Sequence, residues 1–177
     1  ILTYGHPDSS TQGHDAYFGP LMKKWPELVR VLHVDGSLGR AKSLSADSRT
    51  VSLHAWGNPF AALRLPFARW KPPATHLNGT LGWLVRRAAA LEGSTGQAAM
   101  SRWQQICQKN WLRQTRPRLI TWPWENHAWE RGFVRSAREF GVRTLGYLHT
   151  PHGRHHWGIS PASNRDGLDS TPDKLVC

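Results

Sequence analysis

Segment 118–148 constrains the fold more than any other part of this 177-residue chain. Arg118-Leu119-Ile120-Thr121-Trp122 reads as a strand, and Pro123 breaks it. A helix is expected over about 125–140, because Trp129, Phe133, Ala137 and Phe140 recur at steps of four, four and three. Gly141 supplies the residue that most easily turns left-handed after a helix, and 142–148 is strand-like again. A strand, a 16-residue crossover and a second strand imply parallel pairing in a right-handed βαβ unit.

The remaining segments extend this alternation. Strands are expected at 1–4, 29–34 and 50–56, with another beginning at 174–177. The 29–34 strand alternates apolar and polar residues as a half-buried strand does. A helix broken near Pro20 and Pro26 spans 16–28, and 5–10 and 36–49 read as loops. Two more helices are expected at 81–91 and 97–114, the second packing through Met100, Trp103, Ile106 or Cys107, and Trp111. The expected class is α/β: one domain over 1–177, an open, mostly parallel Rossmann-like sheet with flanking helices. A basic, aromatic helical insert occupies about 58–116.

Composition removes several alternatives. With 39% hydrophobic and 20% charged residues the chain is neither disordered nor a coiled coil. No apolar run approaches the roughly 18 residues that cross a bilayer, and no signal segment opens the chain. Cys107 and Cys177 lack metal-finger spacing and read as buried thiols of a reducing cytoplasm. The chain opens at Ile1 and stops at Cys177 within a strand-like run, so it is expected to be a piece of a longer protein.

In an open parallel sheet, ligands bind beyond the carboxyl ends of the strands. Three loops meet that rule: 5–15 with His6, His14, Asp8 and Asp15; 122–127 with Trp124, Glu125, Asn126 and His127; and 149–157 with His149, His152, His155 and His156. Glu125 is expected in the first turn of its helix, either as a simple helix-start acid or as a general base or sugar-hydroxyl acceptor beside a Trp124 platform. Asp15 is a second base candidate or an N-cap. His127 and Arg131 share a helix face, while Glu130 and Arg131 also read as solvated or salt-bridged. The histidines lack a zinc pattern, so no metal is expected, and His149, directly after a strand, is the leading functional histidine.

The net charge of +11 is concentrated: 49–118 holds eleven basic residues and one acid, Glu92, and so contributes +10. Arg64, Arg69, Lys71, Arg86 and Arg87 interleave there with Phe60, Phe67, Trp70 and Trp83, as in an interfacial membrane segment. A nucleic-acid groove is the alternative, ranked lower because no helix-turn-helix, RRM or KH signature is present.

The ends of the chain carry a family resemblance. Ile1-Leu2-Thr3-Tyr4-Gly5-His6 with Asp15-Ala16-Tyr17-Phe18-Gly19-Pro20-Leu21 resembles the start of bacterial surface-carbohydrate biosynthesis proteins of the polysialyltransferase-like type. Trp122-Pro123-Trp124-Glu125-Asn126-His127-Ala128-Trp129-Glu130-Arg131 is similar to their Tyr/Trp-Pro-x-Glu-Asn-x-x-Trp-Glu signature. Gly146-Tyr147-Leu148-His149-Thr150, Ser160-Pro161 and Pro172-Asp173-Lys174-Leu175-Val176-Cys177 resemble the strand, loop and lead-in that follow, and the basic middle resembles nothing. The resemblance implies the N-terminal, acceptor-side half of a metal-independent, inverting GT-B glycosyltransferase of O-antigen or capsule synthesis. The nucleotide-sugar domain is then absent from this chain, which is inactive alone. The implied partners are a nucleotide-sugar donor, a glycan or lipid-linked glycan acceptor, and an anionic membrane at the cytoplasmic face of the bacterial inner membrane. No cofactor and no nucleic acid are implied. Glu125 and then Asp15 are the expected bases. His6, Trp124, Asn126, His127, Arg131 and His149 are expected to hold substrate, and Arg64, Arg69, Trp70, Lys71, Arg86 and Arg87 lipid phosphate. A non-catalytic carbohydrate-binding module, a nucleic-acid-binding domain and a nucleotide-sugar epimerase remain the alternatives.

Overall fold

A computed structural model describes residues 1–149 and 168–177. The chain is mixed α/β, with two small parallel sheets and helices packed against them. β1 (Leu2–Tyr4), β2 (Arg30–Val34) and β3 (Thr50–Ser52) pair in that order. β4 (Leu119–Pro123), β5 (Arg143–Tyr147) and β6 (Lys174–Val176) form the second sheet, also parallel, with Leu119 opposite Arg143 and Leu145 opposite Lys174. β1 runs beside β4, so the two ladders meet along their first strands. The βαβ unit is present as expected: α7 (Ala128–Glu139) connects β4 to β5.

The helices are α1 (Leu21–Lys24), α2 (Leu38–Ser45), α3 (Pro59–Ala62), α4 (Ala74–Leu77), α5 (Gly82–Glu92), α6 (Gly96–Thr115) and α7. β2 is covered on both faces rather than half-buried. Val31 joins the main core under α6 and α7, while its neighbour Leu32 points the other way, onto Ala41 and Leu44 of α2. The main core joins both sheets, with Leu2 and Val31 of the first and Ile120 and Trp122 of the second. Trp111 lies parallel to Phe133 at 5.9 Å, and Phe133 meets Trp122 edge-on at 5.3 Å. α6 also covers the 3-10 turn Leu53–Trp56, where the Trp103 Nε1–H donates to His54 Nδ1 at 2.8 Å. Gly57 permits that approach, since a Cβ there would lie 2.3 Å from the Trp103 ring.

Four expected elements take a different form. Residues 16–28 are helical only over α1, because Asp15 and Gly19 close a tight turn by exchanging both backbone hydrogen bonds, at 2.8 and 2.7 Å. The 36–49 loop contains α2, whose cap is Ser37 Oγ accepting from Arg40 N at 3.0 Å and whose buried positions, Ala41 and Leu44, are three apart. Strand 50–56 ends at Ser52, where the hydroxyl accepts from His54 N and starts the 3-10 turn. The crossover helix starts at Ala128, which places Glu125 before the helix rather than in its first turn. In α6 the packing face runs through Cys107 and Trp111 as expected, but Met100 is exposed. Cys177, directly after β6, is exposed rather than buried.

Arg30, fully buried in β2, fixes the loop that follows β1. Its guanidinium donates to Thr50 Oγ1 at 2.9 Å, to His14 O at 3.1 Å and to Ser10 O at 2.9 Å. It also lies 3.6 Å from Asp15 and 3.4 Å from Asp47. Removing one partner of a buried ion network strands the others. Arg30→Met is therefore expected to lower unfolding stability by about 3–5 kcal/mol, measured by urea titration. A loss below about 1 kcal/mol would show that Asp15 and Asp47 find other partners.

Candidate functional site

The site forms at the carboxyl ends of β1, β4 and β5, where the parallel strands release their loops. Glu125 is its centre. One carboxylate oxygen lies 2.7 Å from His127 Nε2 and the other 3.3 Å from His149 Nε2. Glu125 and His127 are open to solvent, whereas His149 is largely covered. The His149 ring meets Tyr17 edge-on at 5.4 Å, and Tyr17 in turn meets His6 at 5.9 Å and Tyr4 at 5.6 Å. Tyr4 reaches His33, which stacks on Trp129 at 3.8 Å. The loop after β1 and the loops after β4 and β5 thus meet in one continuous cluster of imidazoles, phenols and a carboxylate.

Glu130 builds the Glu125 loop from below. It is fully buried, contrary to the expectation of a solvated or salt-bridged side chain. Its carboxylate accepts from Trp122 Nε1 at 3.0 Å, from Glu125 N at 3.1 Å and from His127 N. Burial raises its pKa, and the donors from Glu125, His127 and Trp122 pull it back. These bonds stabilise Asn126 in a left-handed conformation, φ 64°. Arg131 Nε then donates to Asn126 Oδ1 at 2.9 Å and its guanidinium to Ser170 Oγ at 3.3 Å. Asn126 and Arg131 accordingly position the loop.

Two of the expected site residues sit elsewhere. Trp124 is buried, packed against Trp122 at 6.0 Å, so it offers no platform to a sugar. Asp15 is 0% exposed and accepts from Thr3 Oγ1, Tyr17 N and Phe18 N, so its carboxylate is out of a substrate's reach. His6, Glu125, His127 and His149 are brought together. His152, His155 and His156 lie outside the described residues, as do Thr150 and Ser160-Pro161. Among the described residues no group of His, Cys, Asp and Glu is arranged to hold a metal ion. Tyr4, Tyr17, His33 and Trp129 were not expected here. Their contacts span many residues of sequence: Trp129 reads only as a packing residue of the crossover helix, and Tyr4 and Tyr17 lie in the segments that carry the family resemblance without any sign that they meet His33 or His149.

A groove of about 1280 Å³ opens between 58–71 and α6. Arg64, Arg69, Lys71 and Arg102 line it with Phe60, Trp70 and Ile106, and Glu92 is its one acid. Ala128, the residue after His127, is also among the residues that line it. Arg86 and Arg87 lie outside the groove, exposed on α5, and Arg86 donates to Leu77 O at 2.8 Å. No helix among the described residues is long and apolar enough to cross a membrane. Comparison with models of known families, with curated proteins and with solved structures found no match to the chain.

Two measurements test this construction. Glu130→Gln places an amide N–H₂ where a backbone donor now points. It should cost about 1–3 kcal/mol in chemical denaturation, while an unchanged midpoint would remove Glu130 from its supporting role. The second concerns His33, whose pKa falls to about 4 through burial, with smaller contributions from His54 and His127. The unfolded imidazole, near 6.5, then binds more protons than the folded one between those values. Stability is complete above about 6.5 and should decline as pH falls towards 4, by up to about 3 kcal/mol. His33→Gln should flatten that limb, and a variant with the wild-type slope would assign it to another group.

Proposed function

We propose that this chain is the acceptor-side part of a glycosyltransferase, with Glu125 and His127 as its proton-accepting pair. The observation that carries the reading is the Glu125 carboxylate held between His127 and His149 at the strand ends. Also in support, the segment similar to the family signature, 122–131, is the one that builds this loop, through Glu130 as well as Glu125. The order β3-β2-β1 beside β4-β5-β6 is compatible with a Rossmann-like acceptor domain of GT-B type.

In this mechanism His127 Nε2–H faces Glu125, and its Nδ1 exchanges the Glu130 backbone N–H at the start of α7 for the substrate hydroxyl. The acceptor hydroxyl gives its proton to Nδ1 as its oxygen attacks the anomeric carbon and the nucleotide leaves, inverting the centre. Glu125 fixes the tautomer and stabilises the imidazolium, the part a carboxylate plays behind a catalytic histidine. His149 holds the second Glu125 oxygen. Tyr17 and His6 supply hydroxyl and imidazole contacts for the sugar rim, and the donor nucleotide-sugar is bound by a second, donor-side domain.

The test is transfer of labelled sugar from a panel of nucleotide-sugars to glycan acceptors, using a polypeptide that joins this chain to a donor-side domain. Glu125→Gln and His127→Gln should each lower kcat about 100-fold or more with unchanged circular dichroism. Undiminished transfer by both folded variants, or no transfer from any donor, overturns the assignment.

A further inference from the structure

The 58–91 segment presents large apolar side chains to solvent. Asn58 caps the short α3, its Oδ1 accepting from Phe60 N at 2.9 Å, and the 3-10 turn Leu65–Phe67 follows directly. These tight turns leave Phe60, Leu63 and Phe67 at 74%, 73% and 86% exposure, among the most solvent-open apolar residues described. α5 and the residue before it add Leu81, Trp83, Leu84 and Leu91, also exposed. Arg64, Arg69 and Lys71 are interspersed with the first group, and Arg86 and Arg87 with the second. Among the described residues none of these five cations has an ion-pair partner, and Glu92 is the lone acid between Arg49 and Arg118.

Exposed leucine and phenylalanine beside uncompensated arginine need a partner that is both hydrocarbon and anionic. Nucleic acid satisfies the charge and can stack on Phe and Trp, but it offers no hydrocarbon to Leu63, Leu81, Leu84 and Leu91. A lipid interface takes both: aromatic and leucine side chains enter the acyl boundary while arginine and lysine reach outward to headgroup phosphates. We infer that the 58–91 segment docks this protein on an anionic phospholipid bilayer. Phe60, Leu63 and Phe67 enter the interface, and Arg64, Arg69 and Lys71 lie against lipid phosphates. This inference stands apart from the sugar-transfer reading, because it uses none of the Glu125 cluster.

The experiment is co-sedimentation of the chain with vesicles of phosphatidylcholine alone and of phosphatidylcholine mixed with phosphatidylglycerol, at low and physiological salt. Binding should require the anionic lipid and weaken with salt. The triple variant Arg64→Gln, Arg69→Gln, Lys71→Gln should bind about 100-fold more weakly, at roughly five-fold for each cation removed. The triple variant Phe60→Ser, Leu63→Ser, Phe67→Ser should lose most of the remaining vesicle binding at physiological salt. It touches only exposed side chains, and circular dichroism checks that both variants fold. Three outcomes overturn the inference: no sedimentation with anionic vesicles, equal sedimentation with neutral ones, or wild-type binding by the serine variant. Tighter binding to mixed-sequence RNA than to vesicles also overturns it and assigns the surface to nucleic acid.

Discussion

A carboxylate removed from water must be given donors or lose its charge, and the Glu130 side chain meets that demand by organising everything around it. It collects the indole N–H of Trp122 and the backbone N–H groups of Glu125 and His127. The end of β4, the turn through Asn126 and the start of α7 are thereby set relative to one another. Glu125 owes its exposed position to that arrangement, since the chain must turn sharply upward between a buried Trp124 and a helix whose first residue is Ala128. The solvent-open part of the site therefore rests on a fully buried acid.

The loop after β1 is held by the opposite charge in the same manner. Arg30 from within the sheet, and Arg40 from α2, together donate to the carbonyls of His6, Pro7, Ser9, Ser10 and His14. Loop backbone that lacks a ladder is satisfied by guanidinium forks, which leaves His6 and the Tyr17 ring in a fixed setting. Gly5 allows the close packing beneath, because a Cβ there would fall 2.1 Å from the Asp35 carbonyl oxygen.

Much of this was legible in the amino-acid order, and the gaps have physical causes. The βαβ unit at 118–148 could be read because its periodicity is strong and helix, strand and glycine cap agree. The helix α2 escaped because Ser, Gly and Lys dilute its three apolar positions, although Ser37 three residues before Arg40 is a cap signal. Residues at the site divide in the same manner. Glu125, His127 and His149 follow strands directly, and the rule for parallel sheets finds them. The burial of Trp124 and Glu130 depends on which face of a neighbouring helix covers them, and local composition carries no record of that. Asp15 looks catalytic in sequence for the reason it is useful in structure: a carboxylate beside a turn accepts several N–H groups at once.

The cluster sits over the seam where β1 and β4 run side by side, with His6 and Tyr17 contributed from one ladder and Glu125, His127 and His149 from the other. Beneath it lies one core shared by both ladders, in which Leu2 and Val31 from the first pack with Ile120 and Trp122 from the second. Tyr17 from the first ladder and His149 from the second meet across that seam, so the contact depends on both ladders holding their places. The contact works as a vernier: because each ring is carried by a different ladder, its geometry reads their alignment directly.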